Sequence, residues 1–190
     1  MRSWLTLLVC WSSLAHAEEL RLSLNGTVSG HWVEGLQVSQ AREHVTLNGG
    51  GAALGASVDL VGRIERLRLG GQLAVDALED PRGDLEVLRS APLVPNAFST
   101  SSVATILFIG VSPFVGLALG DEQLTGWLDL LLSLEIASAR LDGERYWGVT
   151  PVPVLRIGGA VDVGGVGIEL SLLGAFIGAP RVTLAMGVRL

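Results

Sequence analysis

Two histidines are the residues of this sequence with the clearest potential for chemistry. His31 and His44 flank a polar stretch that also contains Glu34 and Glu43. A histidine beside a carboxylate and a serine can form a nucleophilic triad, and the same histidines and carboxylates are potential metal ligands. No recognisable motif surrounds a serine, and the spacing is not diagnostic of a metal. We therefore interpret both histidines as polar rim residues and predict no catalytic residue, metal or cofactor.

Charged residues form a second pattern, because they recur at alternate positions within long apolar segments. They lie on the opposite parity to leucine, valine and isoleucine, which is typical of a β-strand with one polar and one apolar face. Six arginines face six carboxylates, a balance that allows the charges to pair inside a fold. We predict an interior charge network of twelve residues. Its members are Arg21, Asp59, Arg66, Arg68, Asp76, Asp129, Glu135, Arg156, Asp162, Glu169, Arg181 and Arg189.

Eight alternating segments position these charges and predict eight antiparallel strands. The segments are residues 20–32, 44–61, 63–77, 103–119, 124–139, 149–163, 166–178 and 181–190. Tight turns are predicted near residues 62, 120–122 and 164–165. The connections between these turns are 35–43, the long loop 78–102, 142–146 and 179–180. Glycines 49–51 indicate a bulge that switches the parity of the second strand, and a short helix near 83–89 is possible within the long loop.

Residues 1–17 are typical of a secretory signal peptide. Arg2 is followed by the apolar run Trp4–Trp11, and Ala15 and Ala17 supply the small side chains that precede a cleavage site. The predicted domains are this signal peptide and one mature domain, residues 18–190. All 13 basic residues of the chain are arginine, against 19 acidic ones, for a formal charge of −6. This balance argues against nucleic acid as a partner.

Alternation alone does not decide whether the apolar face meets lipid or a core. A soluble secreted β-sandwich that binds a ligand also alternates, and it remains the alternative. The predicted runs, about 11 to 19 residues long, exceed soluble strands of about 5 to 6 and suit membrane strands of about 9 to 11. A helical membrane protein is disfavoured because Asp129 and Glu135 would lie in lipid. The pattern therefore favours a membrane barrel with its charges inside.

The leader, the eight strands and the alternation of turns and loops resemble the small outer-membrane β-barrels of Gram-negative bacteria, the OmpA transmembrane-domain and OmpX class. The closing strand is similar to that family's assembly signal, with a polar Thr183, a small Ala185 and outward apolar residues at Val188 and Leu190. The resemblance implies an eight-stranded antiparallel up-and-down transmembrane β-barrel in the outer membrane. It also implies contact with outer-membrane lipids, recognition by the barrel-assembly machinery, and a monomer.

The function that this resemblance implies is a structural or surface-interaction role with a packed polar interior, rather than catalysis. A third hypothesis is a lipid-modifying enzyme at the rim, because some small barrels of this membrane are lipid A deacylases or acyltransferases. Trp32, Tyr146 and Trp147 are expected at the outer rim, and Trp127 inside. The loop 78–102, the longest irregular segment, is the expected functional surface.

Overall fold

The protein is all-β in the part of the chain that the computed structural model describes. The described residues are 19–40, 43–79, 86–91, 94–99, 103–120, 124–141, 143–163, 166–175 and 181–190. The predicted signal peptide and the connection 179–180 lie outside them and stay predictions. Among the described residues, no helix is long and apolar enough to cross a membrane.

Ten strands account for nearly all of these residues. They are β1 (Glu19–Gln40), β2 (Glu43–Ile64), β3 (Leu67–Glu79), β4 (Glu86–Ala91), β5 (Val94–Ser99), β6 (Val103–Gly120), β7 (Leu124–Leu141), β8 (Glu144–Val163), β9 (Val166–Ala175) and β10 (Arg181–Arg189). Eight of them form an antiparallel ring in the order β1, β2, β3, β6, β7, β8, β9, β10. The ring closes because β1 pairs with β10 as well as with β2. A single closed sheet excludes the sandwich alternative, which requires two separate sheets.

The long loop 78–102 differs from its prediction, because it contains two paired strands. Strands β4 and β5 pair with each other, and β4 continues the sheet alongside residues 44–48 of β2. The prediction of a short helix near residues 83–89 is wrong, since residues 86–89 belong to strand β4. Short-range propensity did not reveal this hairpin because its backbone partner is the distant end of β2.

The predicted connection 35–43 is also wrong, since β1 continues to Gln40 and β2 begins at Glu43. A bulge interrupts β1 between Val33 and Leu36, which pair with Gly49 and Leu47. Two residues of β1 therefore oppose one residue of β2, and the parity switches in β1. The predicted bulge at glycines 49–51 is thus placed on the wrong strand, although these glycines pair with the residues of β1 just before the bulge.

The outside of the ring carries a continuous apolar belt. Every strand of the ring contributes exposed aliphatic side chains, such as Leu24, Leu73, Leu130 and Ile168. On β6 the belt runs from residue 107 to 119; twelve steps of about 3.3 Å, tilted by about 40°, give a height of about 30 Å. That height is close to the hydrocarbon thickness of a typical bilayer, about 30 Å.

Polarity reverses at the end of the barrel farthest from the termini, which we call the upper end. There the interior is an apolar cluster, which we call the apolar cap, and the outward side chains are polar, among them Gln37, Ser39 and His44. The cap consists of Val33, Leu36, Val38, Val45, Leu47, Ala53, Leu78, Ile106, Phe108, Ala137, Ala139, Leu141 and Tyr146. Tyr146 is only 1% exposed, so its predicted place on the outer rim is wrong. The upper end is therefore built like a water-soluble β-protein.

At the upper end, β1 pairs directly with β8 and completes the wall of the barrel there. Strand β9 pairs with β8 only from Val154 downward, and above it Ser39 pairs with Trp147. A side chain at Gly148 would overlap the carbonyl oxygen of Gln37, so this close approach requires glycine. The β9–β10 hairpin is thus shorter than its neighbours, and two nonadjacent strands meet above it.

Candidate functional site

The candidate site is the set of charged side chains inside the barrel. The structure places eleven of the twelve predicted network residues on the inward face, buried or half-buried. Arg66 is the exception and a correction: it is exposed in the turn between β2 and β3. The prediction placed the turn near Gly62, but β2 extends to Ile64. The described interior therefore holds five of the predicted arginines and all six carboxylates.

The centre of the network is a row of residues at one level across four adjacent strands. Arg68 on β3 pairs with Gly116 on β6, Gly116 with Asp129 on β7, and Asp129 with Arg156 on β8. A side chain at Gly116 would overlap the Asp129 carboxylate. Glycine here therefore lets Arg68 reach across β6 to Asp129.

The row is held by charge-assisted hydrogen bonds. Asp129 accepts from Arg156 Nη2 at 2.8 Å and Nε at 3.0 Å, and from Arg68 Nε at 3.1 Å. Arg156 Nη1 donates to Asp59 Oδ2 at 2.7 Å. All four side chains are at most 6% exposed, so two guanidiniums and two carboxylates neutralise each other away from water.

Asp59 and Arg156 come from opposite walls of the barrel. Asp59 lies on β2 and Arg156 on β8, which are four strands apart in a ring of eight. Their 2.7 Å contact therefore crosses the lumen. In general, the interior of an eight-stranded barrel is just wide enough for side chains from opposite walls to meet.

Aromatic rings contribute to the same cluster. The Arg68 guanidinium lies 4.5 Å from the centroid of Trp127, and that of Arg156 lies 4.6 Å from the centroid of Phe114. Trp127 faces inward as the parity predicts. Sequence reasoning missed Phe114 because β6 is apolar on both parities; the inward parity of Ser112 was the available signal. These cation–π contacts cover the arginine faces that carry no hydrogen bond.

A second cluster lies at the lower mouth, near the termini. Arg189 pairs with Asp162 and lies 3.6 Å from Glu169, and Arg21 pairs with Asp162 at 3.4 Å. A small open pocket is lined by Arg21, Glu169, Arg189 and their neighbours, including Arg63. Four arginines, Arg21, Arg63, Arg68 and Arg189, line this pocket against the single carboxylate of Glu169, so its lining is mainly cationic.

Two further contacts lie above the central row. Arg181 pairs with Glu135. Thr27 donates a hydrogen bond of 2.7 Å to Asp76. Neutral partners such as Thr27 were absent from the prediction, which considered charges alone. The interior thus combines ion pairs with hydroxyl and amide hydrogen bonds, and it also contains buried apolar residues.

Comparison with solved structures identifies the fold of this protein. No protein-family model matches the chain, and no curated protein matches it in sequence. Among solved structures, it is similar to Neisserial surface protein A, with 15% identity over 90% of this chain and 96% of that chain, and a TM-score of 0.58. It is also similar to Ail, the attachment invasion locus protein of Yersinia pestis, with 10% identity over 91% and 99% of the two chains and a TM-score of 0.54. The fold is that of the small outer-membrane β-barrels.

The barrel separates the two histidines. His31 is 1% exposed and stacks on Phe108, with ring centroids 4.8 Å apart. His44 is exposed and pairs with Ser39, roughly 25 Å farther along β1. A triad or metal site that uses both histidines is incompatible with this separation. Among the described residues, no three histidine, cysteine or acidic side chains are grouped to hold a metal ion.

The closing strand β10 presents its residues as the resemblance implies. Val188 and Leu190 are exposed on the outer face, and Thr183 and Ala185 are buried on the inner face. Its whole length pairs with β1 on one side and β9 on the other. Recognition of this strand by the assembly machinery stays a prediction.

Proposed function

We propose that this protein resides in the outer membrane, with its termini in the periplasm, and has a structural or surface-interaction role rather than that of an open pore or an enzyme. The single observation that carries the proposal is the combination of an apolar exterior belt with a lumen crossed by the Asp59–Arg156 pair. The belt suits hydrocarbon, and the crossing pair suits a filled barrel.

The upper end supports the surface-interaction part of this role. Above the belt, β1, β2, β7 and β8 continue as paired strands around the apolar cap. A packed core holds an extension of this kind in one conformation, so it presents a rigid polar exterior. Rigid elements place binding residues more precisely than loose loops do.

Two measurements on the purified mature protein test residence and the filled lumen. After refolding in detergent it should migrate differently on a gel before and after boiling, as closed membrane barrels do. In planar bilayers it should show no steady conductance, because the central ion pairs occupy the lumen. A protein that dissolves as a monomer in plain buffer contradicts the membrane assignment, and a steady, wide conductance contradicts the filled interior.

A separate experiment tests the non-enzymatic role. Cells that overproduce the protein should contain lipid A with unchanged acyl chains, as judged by mass spectrometry of the extracted lipid. The paired control is His31→Ala combined with His44→Ala, which should give the same lipid A spectrum. An altered spectrum that reverts in the double variant would establish a lipid-modifying enzyme.

A further inference from the structure

Two exposed arginines lie just above the apolar belt on the outer face of β7 and β8. Going up this face, Ile136 pairs with Val149, then Ser138 with Trp147, and then Arg140 with Arg145. The paired arginines are directly opposite each other, and both are exposed. The same face therefore changes from aliphatic to aromatic to cationic within a few residues.

Like charges directly opposite each other on a sheet destabilise it. Among the described residues, neither Arg140 nor Arg145 forms an ion pair. The neighbouring carboxylate of Glu144 instead lies 3.4 Å from the Tyr146 hydroxyl. An external anion shared by the two guanidiniums would relieve this repulsion.

The surroundings identify the kind of anion. Trp147 is 45% exposed at the top of the belt, the position in which tryptophan marks a membrane interface. The Arg145 guanidinium lies 5.7 Å from the Trp147 ring centroid, and this contact holds it close to the barrel wall. The arginines are two residues above Trp147, about 7 Å along the strand, which is within a headgroup layer of about 5 to 8 Å.

From this arrangement we infer that Arg140 and Arg145 bind a phosphate group of lipid A in the outer leaflet. Planar guanidiniums match phosphate oxygens with paired hydrogen bonds, and the belt below receives the acyl chains of the same molecule. The inference rests on the proposed function, because it requires the belt to lie in the outer membrane with the upper end outside.

The test uses the full mature protein refolded in detergent, with bound lipid counted by native mass spectrometry. Bisphosphorylated lipid A should bind at least about tenfold more tightly than lipid A from which both phosphates have been removed. Arg140→Ala combined with Arg145→Ala should abolish this preference. Arg66→Ala, which removes an exposed arginine at the opposite end, should retain it.

Each outcome separates the inference from the proposed function. If the wild type shows no change of gel mobility on boiling, the membrane assignment fails. If it folds but binds both lipids equally, or if the double variant keeps the preference, the phosphate site is wrong. If inorganic phosphate alone competes fully at matched concentration, the site recognises free phosphate and the lipid assignment is overturned.

Discussion

Replacing Arg156 with methionine is expected to lower the free energy of unfolding by about 3 to 5 kcal/mol, because it leaves the buried Asp59 carboxylate without its cation and Asp129 with Arg68 alone. Arg156 is 2% exposed and bonds to both Asp59 and Asp129. The contact to Asp59 also joins opposite walls of the barrel, so its loss removes a cross-link of the lumen. Urea unfolding of the protein in lipid vesicles, followed by tryptophan fluorescence, measures this change.

Two further variants define the cause of that loss. Arg66→Met removes an exposed arginine from a turn and should change the free energy by no more than about 0.5 kcal/mol. Neutralising the whole cluster, with Asp59→Asn, Arg68→Met, Asp129→Asn and Arg156→Met together, should cost less than Arg156→Met alone, since no charge then stays unpaired. Equal losses for Arg66→Met and Arg156→Met would refute a buried network.

The second large effect is expected on the outer face, where Leu130→Arg should cost about 2 to 4 kcal/mol in a bilayer. Leu130 is 57% exposed and lies midway along the part of β7 that carries the belt. An arginine there would lie near the centre of the hydrocarbon. The same unfolding experiment in vesicles measures this cost.

Gln37→Arg is the matched control, because Gln37 is also exposed and outward but lies above the bulge of β1. Arginine at this position meets water or headgroups, so the free energy should change by no more than about 0.5 kcal/mol. If both substitutions cost the same, the boundary between the belt and the upper end is misplaced.

Strand alternation predicted the ring and most of the interior. Once Leu128 and Leu130 face outward, Asp129 must face inward, and its partner Arg156 follows from the same parity on β8. Arg66 was wrongly predicted to face inward, because the turn after β2 lies a few residues later than predicted. The alternation of polar and apolar residues ends at that turn, and Arg66 lies within it. A parity rule extends only as far as the strand that carries it.

The upper end was not predictable from the same rule, because the meaning of the pattern reverses there. Val45 and Leu47 alternate as lipid-facing residues would, yet they are buried inside. Only the bulge at residues 34–35 and the partner strands reveal the reversal. The pairing of Arg68 with Asp129 was also inaccessible, since it depends on register across β6 rather than on position in the sequence.

The reversal of polarity at the bulge fixes the depth at which the barrel can sit in a bilayer. Sliding toward the lower end would bring first Gln37 and then Ser39 into hydrocarbon, while sliding the other way would expose Trp32 and its aliphatic neighbours to water. A membrane of unsuitable thickness would therefore have to stretch or thin around the protein, because the rigid cylinder offers no compensating tilt of single strands. Such hydrophobic mismatch would restrict the protein to membrane regions whose thickness matches its belt.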